Sequence, residues 1–451
     1  MKKLSMDVFN AHASGIDVGS REHWVAVDQD KSKVRKFGVY TSDHIEMIGW
    51  LKENDVRSIA MESTGSYWQT LFDALQQAGF EVVLVNGNQT KNVKGKKTDL
   101  LDCLWIQKLH SLGLLSGSFL PSGELQSLRT YYNQRQFLIH QMTKYVNKMQ
   151  KSLRLMNIRL DVALRDIMGM SGRAIIEAIL NGERDPEKLA GLANYRVKKS
   201  KAEIAESLTG NWREDLIFDL RACLDLHDFY VGKLRQCDEE LESKIAALKS
   251  SDENASNVEA KTTRKQRSKY APDFDIQLQA LNYFGVDLME IPGVSHNTVL
   301  CLLTQMGHDI YKFPTSKHFC SWLRLAPNNK ITGGKIISSR TPKGKNRLAL
   351  ALRQAANSIG NQKEGDLNRF FKRIAYKKGR SAAVTATARK LAIIIYQMIM
   401  RKEVYQPKLP SKIPNRIKNK MIRNIKSSLN RLELSKEQMQ LLFANDSLPA
   451  T

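Results

Sequence analysis

Apolar side chains between Leu125 and Met156 recur in a way that only a long helix satisfies. Leu125, Leu128, Tyr132, Arg135, Ile139, Met142, Val146, Met149, Leu153 and Met156 alternate at spacings of three and four. A strand would bury every second residue instead. The rhythm holds for more than four heptads and is interrupted once, by Arg135. Leu234, Cys237, Leu241, Ile245 and Leu248 resume it further on. Two long helices are expected, either as a coiled-coil hairpin or dimer arm, or as the core of a plain helical bundle.

Upstream of Pro121 the pattern is different in kind. A strand is expected over Ser14–Gln29, carrying Gly15-Ile16-Asp17-Val18-Gly19 and Trp24-Val25-Ala26-Val27-Asp28, and a second near Val34–Val39. A helix follows from about Ser42 to Asn54, capped by Ser42 or Asp43. Ser58–Met61 reads as a strand, Tyr67–Gln77 as a helix and Phe80–Val85 as a buried strand. Such alternation gives an α/β layer structure. The fold class is therefore α/β plus all-α. Residues 1–120 form the α/β domain and 121–249 a helical, coiled-coil domain. A polar linker occupies 250–275, a mainly helical domain 276–405 and a basic tail 406–451.

The formal net charge is +24. Such an excess attracts polyanions through counterion release, which makes nucleic acid the leading partner. No apolar run reaches the ~18 residues of a membrane span, and the first residues lack a signal-peptide core. Five scattered cysteines, never in a CxxC spacing, argue against a disulfide framework or zinc site. A cytoplasmic, nucleoid-associated protein without a membrane partner is expected.

Four carboxylates stand out. Asp17 interrupts an apolar strand, where a charge is costly unless compensated. Glu62 ends the strand Ile59-Ala60-Met61. Asp99 and Asp102 share one face of a helix if Thr98 caps it. Each alone reads as a structural residue. Together they make a strongly negative cluster suited to hard cations, Mg²⁺ or Mn²⁺, of which two can cleave a phosphodiester.

The last domain offers a different chemistry. Ile291-Pro292-Gly293-Val294 leads into an apolar-periodic helix and is similar to a helix-hairpin-helix phosphate clamp, although plain helix packing explains it as well. From Lys330 to Arg347 the chain carries glycines, hydroxyls and cations but no acid. Lys335, Arg340, Lys343, Lys345, Arg347 and, beyond them, Arg353 are candidate nucleic-acid contacts. Arg340 and Arg353 suit phosphate best, because arginine binds it bidentately.

In combination these motifs resemble the DEDD transposases of bacterial insertion sequences, the family often called IS-one-ten. The matching stretches are Gly15–Gly19, Met61–Gly65, Asn86-Gly87-Asn88 and Lys97–Asp102. In the last domain they are Ile291–Val294, Trp322–Pro327, Gly333–Lys335, Arg340-Thr341 and Ala351–Arg353. The resemblance implies a RuvC-like, ribonuclease-H-type first domain with Asp17, Glu62, Asp99 and Asp102 as catalytic metal ligands. It also implies a coiled-coil insertion and a C-terminal transposase domain with a serine nucleophile. Donor and target DNA would be chosen by an element-encoded guide RNA, within a dimer or tetramer that brings one subunit's nucleophile to another's carboxylates.

One departure bears on the mechanism. Relatives commonly carry Ser-Gly-Gly-Lys or Ser-Ala-Gly-Lys, whereas this chain reads Thr332-Gly333-Gly334-Lys335. Thr332 is the candidate nucleophile, Ser338 and Ser339 are the alternatives, and support of a glycine turn is the structural reading of Thr332. Two other functions stay open: a Holliday-junction-resolvase-like metal-dependent nuclease, and a non-catalytic nucleic-acid-binding protein.

Overall fold

Short β-branched runs broken by turns build the first unit, and long three-and-four-spaced runs build the second. The structure, a computed structural model, describes residues 8–90, 98–121, 123–248, 269–344 and 346–407, with isolated positions 422, 423 and 427. Lys345, most of the expected linker and nearly all of the basic tail lie outside the described residues. The chain divides into two compact units, residues 1–120 and 121–451.

In the first unit, β1 (Ala13–Val18), β2 (His23–Ala26), β3 (Val34–Phe37), β4 (Ser58–Glu62) and β5 (Glu81–Val85) form one sheet in the order β3-β2-β1-β4-β5. β1, β2 and β3 are antiparallel neighbours, while β1, β4 and β5 run parallel. The single strand expected over Ser14–Gln29 is thus two strands. The polar stretch Gly19-Ser20-Arg21-Glu22 reverses the chain, because it offers nothing to bury on either face.

Helices α1 (Thr41–Glu53) and α2 (Trp68–Gln77) cover one face, where Ile16, Val25, Ile59 and Met61 meet Met47, Leu51, Leu71 and Leu75. Asp43 lies inside α1 rather than capping it from outside: its Oδ2 accepts from the Tyr40 N–H at 2.9 Å. After the single turn α3 (Gly87–Thr90), α4 (Asp99–Ser111) covers the other face. This mixed sheet with helices on both faces is compatible with a RuvC-like domain.

A histidine pair in this unit sets an acid limit. His23 and His44 are buried, with ring centroids 5.6 Å apart. Burial, and then the neighbouring His44, pull the His23 pKa down from 6.5 to about 4. Above pH 6.5 the imidazole is neutral whether folded or unfolded, so it costs nothing. Between pH 6.5 and about 4 only the unfolded chain takes the proton. Stability should therefore fall by about 1.4 kcal/mol per pH unit, about 3 kcal/mol in all. Urea titrations across this range should show that slope, and His23→Phe should flatten it. An unchanged slope in the variant refutes the assignment.

The second unit is built on α5 (Gly123–Leu155) and α10 (Glu214–Ala246). Tyr131 meets Cys237, and Ser152 meets Asp219, so the two helices run antiparallel. Between them in sequence lie α6 (Leu160–Ala163), α7 (Met170–Leu180), α8 (Pro186–Gly191) and α9 (Lys201–Ser207), which close over Ile175, Ile179, Leu189 and Ile204. Leu138 takes the buried place expected of Ile139, which stays half-buried like Val146. The buried stripe is wider than a two-position seam because α5 also packs against a helix of the C-terminal region.

Arg135 is fully buried and grips Asp238 of α10 with two bonds, Nε to Oδ1 at 2.5 Å and Nη2 to Oδ2 at 3.2 Å. Removing one partner leaves a buried charge alone. Arg135→Met should cost about 3–5 kcal/mol, and adding Asp238→Leu should recover most of it. Denaturation midpoints of the two variants decide this; a double variant no better than the single one refutes it.

The C-terminal part holds α11 (Ile276–Phe284), α12 (His296–Gln305) and α13 (Ser316–Trp322). A two-stranded hairpin follows, β6 (Lys330–Thr332) and β7 (Lys335–Ser338). Then come α14 (Arg347–Asn361), α15 (Asp366–Lys378) and α16 (Arg380–Arg401). α12 is the helix that meets α5. The Pro292-Gly293 turn packs on α14, close to Ala355 and Ile359. α16 is the one helix, among the described residues, long and apolar enough to cross a membrane. Its Ala388, Leu391, Ala392, Ile395 and Ile399 are buried, and α13, α14 and α15 pack against it.

Candidate active site

The register of β1 against β4 sets Ile16 beside Met61, so the next residues, Asp17 and Glu62, stand side by side at the carboxyl ends of two parallel strands. Neighbouring strands lie about 4.8 Å apart. Because the pleat alternates, Ile16 and Met61 enter the core under α1 and α2, and both carboxylates face α4. Both are half-buried.

Gly15 lets α4 come this close. A Cβ there would lie 2.2 Å from the Gln107 backbone N and 2.6 Å from the Cys103 carbonyl oxygen. α4 starts at Thr98, whose Oγ1 accepts from the Leu101 N–H at 3.4 Å. Asp99 and Asp102 therefore fall in its first turn, where the helix dipole offsets negative charge. Asp102 is half-buried and Asp99 exposed. Burial first, and then the charges of Asp17 and Asp102, push the Cys103 thiol up to about 12. Two of the carboxylates, from β1 and α4, thus act on one sulfur.

Glu62 is anchored. Its Oε2 accepts from the Thr90 hydroxyl at 2.5 Å, and a Cβ on Gly87 would come within 2.4 Å of Oε1. Sequence reasoning singled out Asn86-Gly87-Asn88 but not Thr90; the hydroxyl closing that helical turn was the available signal.

Asp17 and Glu62 lie on the sheet face that α4 covers, and the first turn of α4 carries the half-buried Asp102 and the exposed Asp99. Among the described residues no three Asp, Glu, His or Cys side chains converge tightly enough to hold one ion. The donors are nonetheless all carboxylate oxygens, two from adjacent strands and two from one helical turn, and Asp17, Glu62 and Asp102 are partly shielded from water. Such a set fits hard cations that take one or two carboxylates each and keep their remaining waters.

The second group of candidates lies in the other unit, on β6 and β7. The glycine-rich stretch forms a hairpin whose two-residue turn, Gly333-Gly334, has φ of 54° and 75°. Both turn residues need the left-handed region, which glycine alone enters at no cost. Thr332 pairs with Lys335 beside the turn and is exposed. Ser338 is half-buried at the end of β7, and Ser339 is exposed. Lys335, Arg340, Lys343 and Arg347 are exposed, and Arg353 on α14 is half-buried. Asn328 N–H donates to the Arg340 carbonyl at 3.0 Å, and the Arg324 guanidinium donates to the Lys343 carbonyl. Arg324 thus fastens the hairpin's base, a role its place in the Trp322–Pro327 motif did not disclose.

Comparison with known proteins covers both groups. A DEDD IS110 transposase family model matches residues 14–158, and a model of the transposase IS116/IS110/IS902 family matches residues 287–372. The "Insertion element IS110 uncharacterized 43.6 kDa protein" of Streptomyces coelicolor is 29% identical over 125 residues, 28% of this chain and 31% of that relative. The "Transposase for insertion sequence element IS1111A" of Coxiella burnetii is 24% identical over 147 residues, 31% of this chain and 40% of that relative. The aligned stretches span less than half the length of either relative. The two family models together cover just over half of the chain, one on the carboxylate unit and one on the hairpin. This chain belongs to the IS116/IS110/IS902 family of transposases.

Proposed function

We propose that the protein is a recombinase of a bacterial insertion sequence that cuts and rejoins donor and target DNA. The observation that carries this reading is the pairing of Asp17 with Glu62 at adjacent strand ends, beneath the α4 turn that holds Asp102. Bound there, Mg²⁺ or Mn²⁺ would supply Lewis-acid polarisation of a phosphodiester oxygen. Asp17, Glu62, Asp99 and Asp102 would hold it, with Thr90 orienting Glu62.

Thr332 supplies the nucleophile. Its hydroxyl oxygen bonds to phosphorus as the bond from phosphorus to one deoxyribose oxygen breaks. The threonine proton leaves through solvent and the freed deoxyribose oxygen takes one up. Attack by a hydroxyl of the new strand reverses these changes, so the phosphodiester is restored without an outside energy source. Lys335, Arg340, Lys343, Lys345, Arg347 and Arg353 neutralise the DNA backbone. Site choice falls to a structured RNA encoded by the element, and a homo-oligomer supplies nucleophile and carboxylates from different subunits.

The test incubates the full chain with DNA carrying the element's ends and a target, with Mg²⁺ or with EDTA, and with or without prior ribonuclease treatment. Cation-dependent joined products are expected, lost when RNA is removed. Cleavage without joining would replace the recombinase by a resolvase-like nuclease. Joining by RNA-free protein would remove the guide RNA alone.

A further inference from the structure

A cleft of about 1050 Å³ opens beside the hairpin, between Ser339–Thr341 and helices α15 and α16. Its wall carries Arg340, Lys377, Lys378, Arg389 and Lys390, and no acidic residue lines it among those described. Its floor is apolar, made by Leu325, Pro327, Phe370, Ile374 and Ile393. Lys390 is held 4.5 Å over the Phe370 ring, which fixes an ammonium at the boundary between floor and wall.

Cations around an apolar floor fit a ligand that is anionic along one edge and apolar along its faces. A duplex shows phosphates and groove edges only, and leaves such a floor unused. An unpaired strand offers both phosphates and open base faces. We propose that this cleft holds an unpaired DNA strand leading toward the hairpin turn. The wall continues directly into β7, which spans roughly 10 Å from Ser338 back to Lys335. That is about three nucleotides at ~3.4 Å per step. The cleft thereby serves as the strand's approach to Thr332, and α15 and α16 join the DNA-contacting surface. Naming the strand as DNA rests on the proposed recombinase activity; the affinity for an unpaired polyanion does not.

The experiment measures binding of the full chain carrying Asp17→Asn, in EDTA, so that no cleavage intervenes. The probes are fluorescent oligothymidylate, oligouridylate of equal length and a matching duplex. Against these, a Lys377→Gln, Lys378→Gln, Lys390→Gln triple variant is compared with a charge-matched Lys52→Gln, Lys188→Gln, Lys201→Gln control.

Three lost phosphate contacts at ~0.7 each should lower the salt-dependence slope for thymidylate by about two, and weaken binding at least about tenfold near ~0.15 M salt. The control should stay within about twofold, and the duplex should lose much less. Equal loss in the control, or equal loss for the duplex, overturns the proposal. Loss confined to uridylate reassigns the cleft to RNA and overturns the DNA assignment. A photocrosslinking thymidylate should label the peptide containing Phe370; labelling only elsewhere also overturns it. Because the assay reads binding alone, its failure leaves the cleavage chemistry standing. A cleft that binds strands in a chain that never joins DNA removes only the latter.

Discussion

Asp17→Asn, Glu62→Gln and Asp102→Asn are each expected to slow DNA strand joining by about 10³-fold or more, while oligonucleotide binding stays within a few-fold of the parent. Each substitution keeps the side chain's size and removes its charge. Polarisation of a phosphoryl oxygen is worth several kcal/mol, and each 1.36 kcal/mol is tenfold in rate. Binding should survive because it draws on the large positive excess spread over the chain, to which one carboxylate contributes little. Thr90→Val is the graded companion. It deletes only the 2.5 Å bond that orients Glu62, so its loss should be smaller and partly relieved by more metal. Single-turnover joining assays over a Mg²⁺ series separate these cases. Near-normal rates in all three charge variants would make the cluster structural and leave a binding protein.

Much of this cluster was legible because its signals are local. An acid inside an apolar strand, an acid at the end of another and a Thr-Asp-x-x-Asp helix start each follow from residues within one turn. Their meeting depends on the register of β1 against β4, which places Asp17 level with Glu62, and only tertiary pairing fixes a register. The same limit explains the split of Ser14–Gln29 into β1 and β2, since alternation marks strands but not where the chain reverses. Arg135 stood out as a cation in an apolar seam. Its partner Asp238 lies 103 residues away on α10 and has no local mark. The hairpin at Thr332-Gly333-Gly334-Lys335 was hidden for another reason. Two exposed strands carrying Ile331, Ile336 and Ile337 among lysines and serines lack the alternation that a buried face imposes. The lysines of α15 and α16 carry no local mark beyond their charge, because the cleft they share with Ser339–Thr341 is set by tertiary packing.

Thr332→Val should abolish joining and the protein–DNA adduct, a loss on the order of 10⁴-fold or more if it behaves like removal of other enzyme nucleophiles. Valine has threonine's branched shape and a strong strand preference, so the pairing with Lys335 and the Gly333-Gly334 turn should persist. The exposed position means that no core packing is disturbed. Loss of activity would then report the missing hydroxyl. Thr332→Ser keeps the hydroxyl and removes the methyl group that crowds in-line attack, so it should match or exceed the parent rate. The adduct is trapped on a nicked substrate and located by mass spectrometry. An adduct on Ser338 or Ser339 would move the nucleophile to the end of β7 or just beyond it; there Ser338 is half-buried and its Oγ accepts from the Arg340 N–H at 3.4 Å. Joining by Thr332→Val at the parent rate with no adduct anywhere would mean that water, or the DNA's own hydroxyl, attacks directly. The hairpin would then be a DNA-positioning element whose glycines, not its threonine, are what the reaction needs.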